Sequence, residues 1–425
     1  MRFKTFWRCI LQEFYFPEFK VIELKNSLKI VLIPIFESNS IVTSLYLKVG
    51  SALEDYNTNG LSHFLEHLLF KGTKKRSAYD IFCDIESVGG EINAATSNEY
   101  TVFYTYLPYD SIELSLDMIS DIVFHPVFPV EEVDKERLVV LEEMKRSYDR
   151  IPSWNFNNFL KKSFPESTLG FPIIGREEVI SNIEYERIIE FYKKFYVPSN
   201  SILVISGKFD EKEALDLSEK YFGVIPDARK NFFDYSVDGF PEKVFFVEKR
   251  KDIKQASLIY GFRTNGYRDR ERVIFDIVDA YLGSGGSSVL FQEIREKRGL
   301  AYDISTFNYV FKKASVFGVI SGLNQRYLNE AIEVIRKEIE RLKKEGIDEQ
   351  ELSRLKRLLR GRYLLDFETN FKISSLIGKH ILFDEIDYLM SYLEKLDKIS
   401  PEQILEVVNE SFDFDREIIC LIKRE

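Results

Sequence analysis

Histidine and cysteine are scarce in this sequence, and their scarcity limits the sites that the chain can build. Its 425 residues include four histidines and three cysteines. The cysteines, Cys9, Cys83 and Cys420, are scattered and form no C-x-x-C pair. This excludes a disulfide framework, argues against a cysteine-rich structural zinc site and is typical of proteins from a reducing compartment.

Long apolar runs and an excess of basic residues are also absent. No stretch approaches the roughly 18 uncharged apolar residues of a transmembrane helix, so we expect no membrane span. The formal net charge of −10 argues against nucleic-acid binding, which favours a basic surface. Near the N-terminus, Arg8, Glu13 and Glu18 interrupt any apolar run, so this region makes a poor secretory signal. The sequence therefore predicts a cytoplasmic protein.

Two of the four histidines lie in the pentapeptide HFLEH at 63–67. On a helix, His63 and His67 stack on one face, one turn apart, and neutral imidazole is a common zinc ligand. Glu66 projects from nearly the same face and can act on a water polarised by the metal without being a ligand. The alternative, packed or surface histidines beside a solvated glutamate, is less favoured because histidine is so rare here. The pattern predicts a catalytic zinc site.

The helix that carries this motif is predicted over 61–70. Asn59 or Ser62 is expected to cap its N-terminus, and Gly72 to end it. The residues around the histidines are apolar on most sides, which predicts a buried helix that carries its polar side chains into a cavity.

A third metal ligand is expected from another helix that faces the same cavity. The best candidate is Glu143, in a long helix predicted over 130–150. Glu136 lies two turns earlier on the same face and can support a metal ligand through a hydrogen bond. Helix glutamates are usually solvated, and the pattern alone leaves three competitors: Glu131, Glu132 and Glu142.

The order of predicted strands and helices recurs in the second half of the chain. Leu258 takes the place of Leu45, and Ile418 takes that of Leu203, which indicates two units of roughly 210 residues. We therefore predict an α+β fold of two tandem homologous domains, each a mainly antiparallel sheet with helices packed on one face. The predicted boundaries are 1–222 for the first domain, 223–242 for a linker and 243–425 for the second domain. The sequence DIVDA at 276–280 takes the place of the histidine motif, so the second domain should bind no metal.

A longer stretch around the motif resembles a known family. The sequence GLSHFLEHLLFKGT at 60–73 resembles the pitrilysin and insulin-degrading zinc metallopeptidases (inverzincins), and is closest to their short-chain, mitochondrial-processing-peptidase-like branch. The resemblance continues at Gly89 and Gly90, in NAATS at 93–97 and from Glu136 to Glu143. It implies one zinc ion per chain, with site residues in three roles: His63, His67 and Glu143 as ligands, Glu66 as general base and Glu136 as supporting partner.

The resemblance extends to IREKRGLAY at 294–302. Arg295 and Tyr302 match the family's Arg/Tyr pair, which reaches across to the metal site and holds the substrate carbonyl and its transition state; both side chains can donate to an oxyanion. From composition alone they would be a solvated arginine and one of 23 tyrosines.

The family also implies an assembly and a substrate geometry. Two chains close like a clamshell, so a homodimer is sufficient here because both elements lie on one polypeptide. The substrate should bind extended, as a strand added beside Asn93, Ala94, Ala95 and Thr96.

The sequence thus predicts a zinc endopeptidase that hydrolyses peptides or unfolded polypeptide segments. Two alternatives stay open: a non-catalytic binding or scaffold subunit, and one subunit of an obligate heterodimeric processing peptidase.

Overall fold

A computed structural model describes residues 3–6, 10–11, 14–227, 234–237 and 239–425. Cys9 and part of the N-terminal region considered as a secretory signal lie outside the described residues, as does part of the linker predicted at 223–242. Among the described residues, no helix combines the length and the apolarity that crossing a bilayer requires.

The strands follow in chain order: β1 (Phe3–Phe6), β2 (Ile10–Leu11), β3 (Phe14–Tyr15), β4 (Phe19–Glu23), β5 (Lys29–Pro34), β6 (Ser40–Leu47), β7 (Glu91–Thr96), β8 (Thr101–Pro108), β9 (Ser201–Gly207), β10 (Val244–Arg250), β11 (Ala256–Thr264), β12 (Ala301–Val310), β13 (Ser315–Leu323) and β14 (Ile418–Arg424).

The α-helices follow in the same way: α1 (Leu61–Leu68), α2 (Ala78–Glu86), α3 (Ile112–Phe124), α4 (Val130–Asp149), α5 (Ile151–Ser163), α6 (Glu177–Asn182), α7 (Tyr185–Phe195), α8 (Glu211–Phe222), α9 (Asp269–Leu282), α10 (Leu328–Glu345), α11 (Glu349–Leu365), α12 (Asn370–Leu382), α13 (Ile386–Lys398) and α14 (Pro401–Ser411). A short π-helical segment lies at Phe291–Glu296.

Two sheets form the framework, and both are mainly antiparallel, as predicted. The first has the strand order β1-β4-β5-β9-β6-β8-β7 and the second the order β10-β14-β11-β13-β12. Each contains one parallel pair, β5 with β9 and β10 with β14. The last five strands of the first sheet therefore have the same topology as the second sheet, which is the repeat that the sequence pattern indicates.

The chain divides into two compact units, each of which contains one of these two large sheets. The division does not follow a single point in the sequence: unit 1 is Met1–Met144, Pro172–Tyr235 and Leu364–Met390, and unit 2 is Lys145–Phe171, Ser236–Tyr363 and Ser391–Glu425. Helix α5 thus belongs to the second unit and helix α12 to the first. The linear boundaries at 222 and 243 stay a prediction, because homologous domains and compact units need not coincide.

The central strands of unit 1 are buried on both faces. Leu45 and Leu47 of β6 point into a core that also contains apolar residues of helices α1, α2, α3, α7 and α8. On the opposite face, Ser44 contacts Ser374 of α12, and a Cβ on Gly378 would approach the ring of Tyr46 to 2.8 Å. Strand β6 is therefore buried along nearly its whole length with little alternation, as expected of a strand covered on both sides.

Candidate metal centre

Helix α1 begins at a glycine and is capped from a distance. Gly60 is its N-cap residue, with φ of +106° and no side chain to accept a hydrogen bond. The expectation that Asn59 or Ser62 caps the helix is wrong, because Asn59 donates and Ser62 lies inside the first turn. The cap is supplied by Glu54. Its carboxylate accepts hydrogen bonds from the Gly60 N–H and the Ser62 N–H, each at 2.7 Å, and from Asn59 Nδ2 at 2.9 Å. Helix α1 ends at Leu68, earlier than Gly72 suggests.

Helix α1 has a buried apolar side and a polar side. Leu61, Phe64, Leu65 and Leu68 are fully or almost fully buried in the core of unit 1. The side chains of His63, Glu66 and His67 lie on the other side of the helix, outside the core, and each is partly buried. The apolar residues therefore fix the rotation of the helix, and the rotation aims both imidazoles the same way.

Three possible metal ligands converge beside α1. The rings of His63 and His67 have centroids 4.6 Å apart, and their Nε2 atoms lie 3.9 Å and 3.4 Å from Glu143 Oε2 on α4. One ligand atom from each of the three lies within 4.8 Å of the others. Zinc bonds of about 2.1 Å in tetrahedral geometry place neighbouring ligand atoms about 3.4 Å apart, so this donor set fits a zinc ion after small side-chain shifts.

The competing glutamates do not join this group. Among the residues that the structure describes, His63, His67 and Glu143 are the only cluster of three or more histidine, cysteine or carboxylate side chains with metal-binding spacing. The convergence therefore favours Glu143 over the three competitors that the helix pattern leaves open.

The ring of His67 contacts the carboxylate of Glu136, which in turn pairs with Lys71. His67 Nδ1 lies 2.8 Å from Glu136 Oε1, and the other oxygen of Glu136 lies 2.5 Å from Lys71 Nζ. Burial works to raise the pKa of Glu136, but its hydrogen bonds with His67 and Lys71 bring it below the ordinary value. Burial likewise works against protonation of His67, but Glu136 and the neighbouring carboxylates raise its pKa. An acceptor at Nδ1 leaves Nε2 free to bind metal.

His63 has no comparable support. Its Nδ1 atom is buried and has no hydrogen-bond partner among the described residues. Burial, together with the neighbouring imidazole of His67, lowers the pKa of His63 to about 4. The ring is therefore neutral near neutral pH, as a metal ligand must be.

Glu66 is connected to the edge of the sheet. The hydroxyl of Thr96, on strand β7, donates to Glu66 Oε2. Burial raises the pKa of Glu66, although the hydrogen bond from Thr96 acts in the opposite direction. A carboxylate with a raised pKa beside a possible metal site is suited to accept and release a proton near neutral pH.

Strand β7 lies at the open end of its sheet, where a further strand can pair. It pairs with β8 on one side, and its residues alternate in exposure from Glu91 to Thr96. Because the Ser97 N–H bonds to Tyr100 O, the antiparallel alternation directs the backbone groups of Ala94 and Thr96 away from β8. The Asn93 side chain accepts from the Ala94 N–H at 2.8 Å. The residues predicted to bind substrate thus lie on an edge strand, on which Ala94 and Thr96 direct their backbone groups away from β8 and Asn93 and Ala95 direct theirs towards it.

Arg295 and Tyr302 lie close to each other in unit 2. The Arg295 guanidinium carbon is 5.4 Å from the centroid of the Tyr302 ring and 4.8 Å from that of Phe291. The Tyr302 side chain is 75% exposed, so its hydroxyl is accessible to a ligand. The pair belongs to the second unit, whereas the three candidate ligands belong to the first.

Sequence reasoning missed three contributors to the site. Lys71 acts through Glu136, and Glu54 acts through the backbone of α1. The third contributor is Thr96, which the sequence analysis treats only as part of an edge strand. Lys71 lies four residues after His67 on the same side of the chain, which is a usable signal. The role of Glu54 has no local signal, because it depends on a loop that returns to the start of the helix.

Two family models together match most of the chain. Residues 31–177 match the family model described as insulinase (peptidase family M16), and residues 182–359 match the model described as peptidase M16 inactive domain. The chain is 30% identical over 404 residues to the uncharacterized zinc protease YmxG of Bacillus subtilis, with 92% of this chain and 95% of the relative covered. It is 32% identical over 396 residues to an uncharacterized zinc protease of Rickettsia bellii, with 92% and 91% covered.

Solved structures show the same fold at lower identity. A protease from Helicobacter pylori superimposes with a TM-score of 0.89 at 23% identity, covering 96% of this chain and all of that one. A putative M16-like peptidase from Alicyclobacillus acidocaldarius gives a TM-score of 0.83 at 19% identity, covering 96% and 99%.

Together, the repeated α+β units and the H-x-x-E-H helix define the class: two-domain proteins built like the inverzincin peptidases. The chain belongs to peptidase family M16, as the resemblance of its motif implies.

Proposed function

We propose that the protein is a zinc-dependent endopeptidase that hydrolyses peptides or unfolded polypeptide segments. The observation that carries the proposal is the convergence of His63 Nε2, His67 Nε2 and Glu143 Oε2, with the Glu66 carboxylate beside them. Two imidazoles and one carboxylate leave a coordination position open, as hydrolytic zinc sites require. The relatives described as zinc proteases support the same choice of metal. We expect one zinc ion per chain.

The residues of the chain divide the chemistry among them. A bound zinc ion would polarise a water molecule and lower its pKa towards neutrality. Glu66 would take a proton from the attacking water at a carboxylate oxygen and deliver it to the departing amide nitrogen. The hydroxyl and the backbone N–H of Thr96 both bond to the Glu66 carboxylate, which orients it for this transfer. Glu136 would keep His67 oriented with Nε2 towards the metal.

Substrate binding is proposed at the edge strand β7. The outward N–H and C=O groups of Ala94 and the C=O group of Thr96 can pair with an extended peptide of any sequence, which suits unfolded segments. Because Thr96 also holds Glu66, a peptide paired there would lie next to the base. The Asn93 side chain would have to release the Ala94 N–H, so the edge is protected until substrate arrives.

Arg295 and Tyr302 are proposed to stabilise the transition state. Both can donate hydrogen bonds to the oxygen of the scissile carbonyl as it becomes negative. In this proposal two chains form a homodimer and each site combines the metal group of one chain with the Arg/Tyr pair of the other. We also propose a cytoplasmic location, which the exposed free thiol of Cys83 supports because it favours a reducing compartment.

The test is cleavage of a peptide library by the purified protein, with and without a chelator. We expect cuts within peptides that disappear when zinc is removed and return when it is added. A protein that binds one zinc ion per chain but cuts nothing would favour the non-catalytic binding subunit. The description of the second family model as an inactive domain keeps that alternative in view. Activity that appears only with a partner chain would favour an obligate heterodimer.

A further inference from the structure

The metal-binding helix is too short to hold its own position. Helix α1 has eight residues, Leu61–Leu68, or little more than two turns. Isolated helices of this length are not stable in water, because nucleation is costly and few hydrogen bonds follow it. His63 lies in its first turn and His67 in its last. The position of each imidazole therefore depends on what holds the corresponding end of the helix.

The two histidines are held by different means. His67 is fixed through its ring, because Nδ1 lies 2.8 Å from Glu136 Oε1. His63 has no such contact, because its buried Nδ1 has no partner among the described residues. The Nε2 atom of His63 is also farther from Glu143 Oε2 than that of His67, 3.9 Å against 3.4 Å. The orientation of His63 thus rests on packing and on the backbone of the first turn.

Glu54 holds that first turn. It follows the short 3-10 turn Ser51–Leu53 and is 1% exposed. Oε2 accepts from the Gly60 N–H and from Asn59 Nδ2, and Oε1 accepts from the Ser62 N–H. A carboxylate that accepts three hydrogen bonds at the positive end of a helix is strongly held. Its two backbone partners, the N–H groups of Gly60 and Ser62, lie on either side of Leu61 and directly before His63 in the chain.

A second contact fixes the same point of the chain. Gly60 and Gly175 both have positive φ, and their backbones touch: a Cβ on Gly175 would lie 2.5 Å from the Cα of Gly60. Asn59 Nδ2 also donates to Pro172 O at 3.1 Å. The start of α1 therefore lies between a buried carboxylate and a close backbone contact, with little freedom to move.

We propose that Glu54 is a positioning residue of the metal centre, which sets the His63 ring against Glu143 by fixing the Gly60 and Ser62 N–H groups. The inference rests on the proposed zinc site. Glu54 serves His63 through the backbone, as Glu136 serves His67 through its ring. Loss of Glu54 should therefore change metal binding and not only the stability of the fold.

The experiment is the substitution Glu54→Gln in the full chain. Glutamine keeps the volume and one acceptor oxygen, but it turns an NH2 group towards a backbone N–H and removes the charge. We expect the dissociation constant for zinc to rise about tenfold, within the range seen when groups that orient metal ligands are lost. The measurement is competition with a chelator, at a temperature where circular dichroism shows the variant fully folded. The visible spectrum of the Co²⁺-substituted protein should change as well, since it reports ligand geometry.

A matched control separates positioning from stability. Ser77 caps helix α2 in the same unit through a capping box with Asp80, and this helix carries none of the candidate ligands. Ser77→Ala should lower the melting temperature while leaving the zinc dissociation constant and the Co²⁺ spectrum unchanged. A zinc constant for folded Glu54→Gln within twofold of the wild type, with the same Co²⁺ spectrum, would overturn the proposal.

Two further outcomes are distinguishable. If Glu54→Gln does not fold, Glu54→Asp takes its place, because the shorter side chain keeps the charge but draws the carboxylate back from the Gly60 and Ser62 N–H groups. A rise of about tenfold in the zinc constant then supports the role, and a constant within twofold of the wild type overturns it. If the wild-type protein takes up no zinc, the proposed function itself fails and the role of Glu54 fails with it. Zinc bound normally by every variant sinks only the role of Glu54.

Discussion

Helix α1 of the first unit and helix α9 of the second occupy equivalent places in two sheets of the same topology. Each follows the strand that pairs with both central neighbours, and each packs against the edge strand of its sheet, β7 or β12. A threonine on that edge strand bonds to each helix: Thr96 to the Glu66 carboxylate, and Thr306 to the backbone oxygen of Asp279 at 3.1 Å. The framework around the two helices is thus preserved.

The difference lies in what the helices present. Where α1 has His63, Glu66 and His67, α9 has Asp276, Asp279 and Ala280. The described part of unit 2 contains no cluster with metal-binding spacing.

The helices α4 and α11, which take equivalent places in the two units, also differ in the residues that they carry. In chain order α11 takes the place of α4, the helix that carries Glu143, and it carries five basic residues: Arg354, Lys356, Arg357, Arg360 and Arg362. One unit concentrates possible metal ligands and the other concentrates cations. The same scaffold therefore carries possible metal ligands in one copy and basic side chains in the other, where Arg354 and Arg360 pair with Glu351 and Asp397.

The largest effect is expected from the loss of the Glu143 carboxylate, which completes the group of possible metal ligands. Glu143→Gln should release most of the zinc, because one of three ligands is lost, and cleavage should fall with it. Zinc content by atomic absorption and cleavage rate are the measurements. Glu142→Gln is the control, because Glu142 is the exposed neighbour on the same helix. Full zinc and full activity in Glu143→Gln would make the ligand assignment wrong.

The second prediction compares the two helices directly. Glu66→Gln should lower kcat by about 100- to 10,000-fold, as loss of a general base does, while zinc stays bound. Asp279→Asn, the equivalent change in α9, should alter kcat less than about threefold, since Asp279 faces Thr306 within its own unit. Steady-state kinetics with one peptide substrate test both. Near-normal turnover by Glu66→Gln would sink the proposed mechanism.

The third prediction concerns what the second unit contributes. Tyr302→Phe should lower kcat by about 10- to 1,000-fold without changing zinc content, as loss of one oxyanion donor does. Tyr109→Phe is the control, because Tyr109 is also exposed but lies in the first unit. If kcat is unchanged, Tyr302 has no part in the reaction.

Mixed dimers sharpen this prediction. Combining Glu66→Gln chains with Tyr302→Phe chains would yield some dimers with one intact site, built from the unaltered half of each chain. Activity well above that of either variant supports sites shared between subunits. No recovery, once exchange of subunits has been shown directly, means that each site is completed within one chain or that Tyr302 is not involved.

The sequence alone predicts much of this fold and the centre of the site. The helices predicted over 61–70 and 130–150 are α1, Leu61–Leu68, and α4, Val130–Asp149, and each prediction agrees with the structure within two residues. The motif at 63–67 was predicted to be helical because its apolar neighbours recur at helical spacing. These are local signals, and local signals survive in a single sequence.

What the sequence could not supply depends on contacts between distant segments. Glu143 could be chosen over its neighbours only through the family resemblance, because the rotation of α4 against α1 is set by packing. Glu54 was missed because it caps a helix that begins seven residues later. The exchange of α5 and α12 between the units was missed because both helices are placed by the sheets that they cover, not by their place in the sequence.

The smallest expected effect concerns the carboxylate that replaces His63 in the second unit. Burial raises the pKa of Asp276 to about 6, although Arg272 on the same helix and hydrogen bonds from Asn308 on β12 and Tyr392 on α13 act in the opposite direction. Asp279, also on α9, adds a repulsion that favours the protonated form. Asp276 therefore keeps its proton in the folded protein at pH values where the unfolded chain has already released it.

This difference predicts how stability depends on pH. Between about pH 4 and pH 6 the folded state holds one more proton at this position, so stability should fall as pH rises; above about pH 7 the loss should be complete, at about 3 kcal/mol. Asp276→Asn removes the ionisation but keeps the shape. Its gain in unfolding free energy over the wild type should therefore be about 2 kcal/mol larger at pH 7.5 than at pH 4. Denaturant titrations at both values measure this, with the exposed Asp252→Asn as control, and an equal difference at both pH values would show that Asp276 is not held in its protonated form by burial.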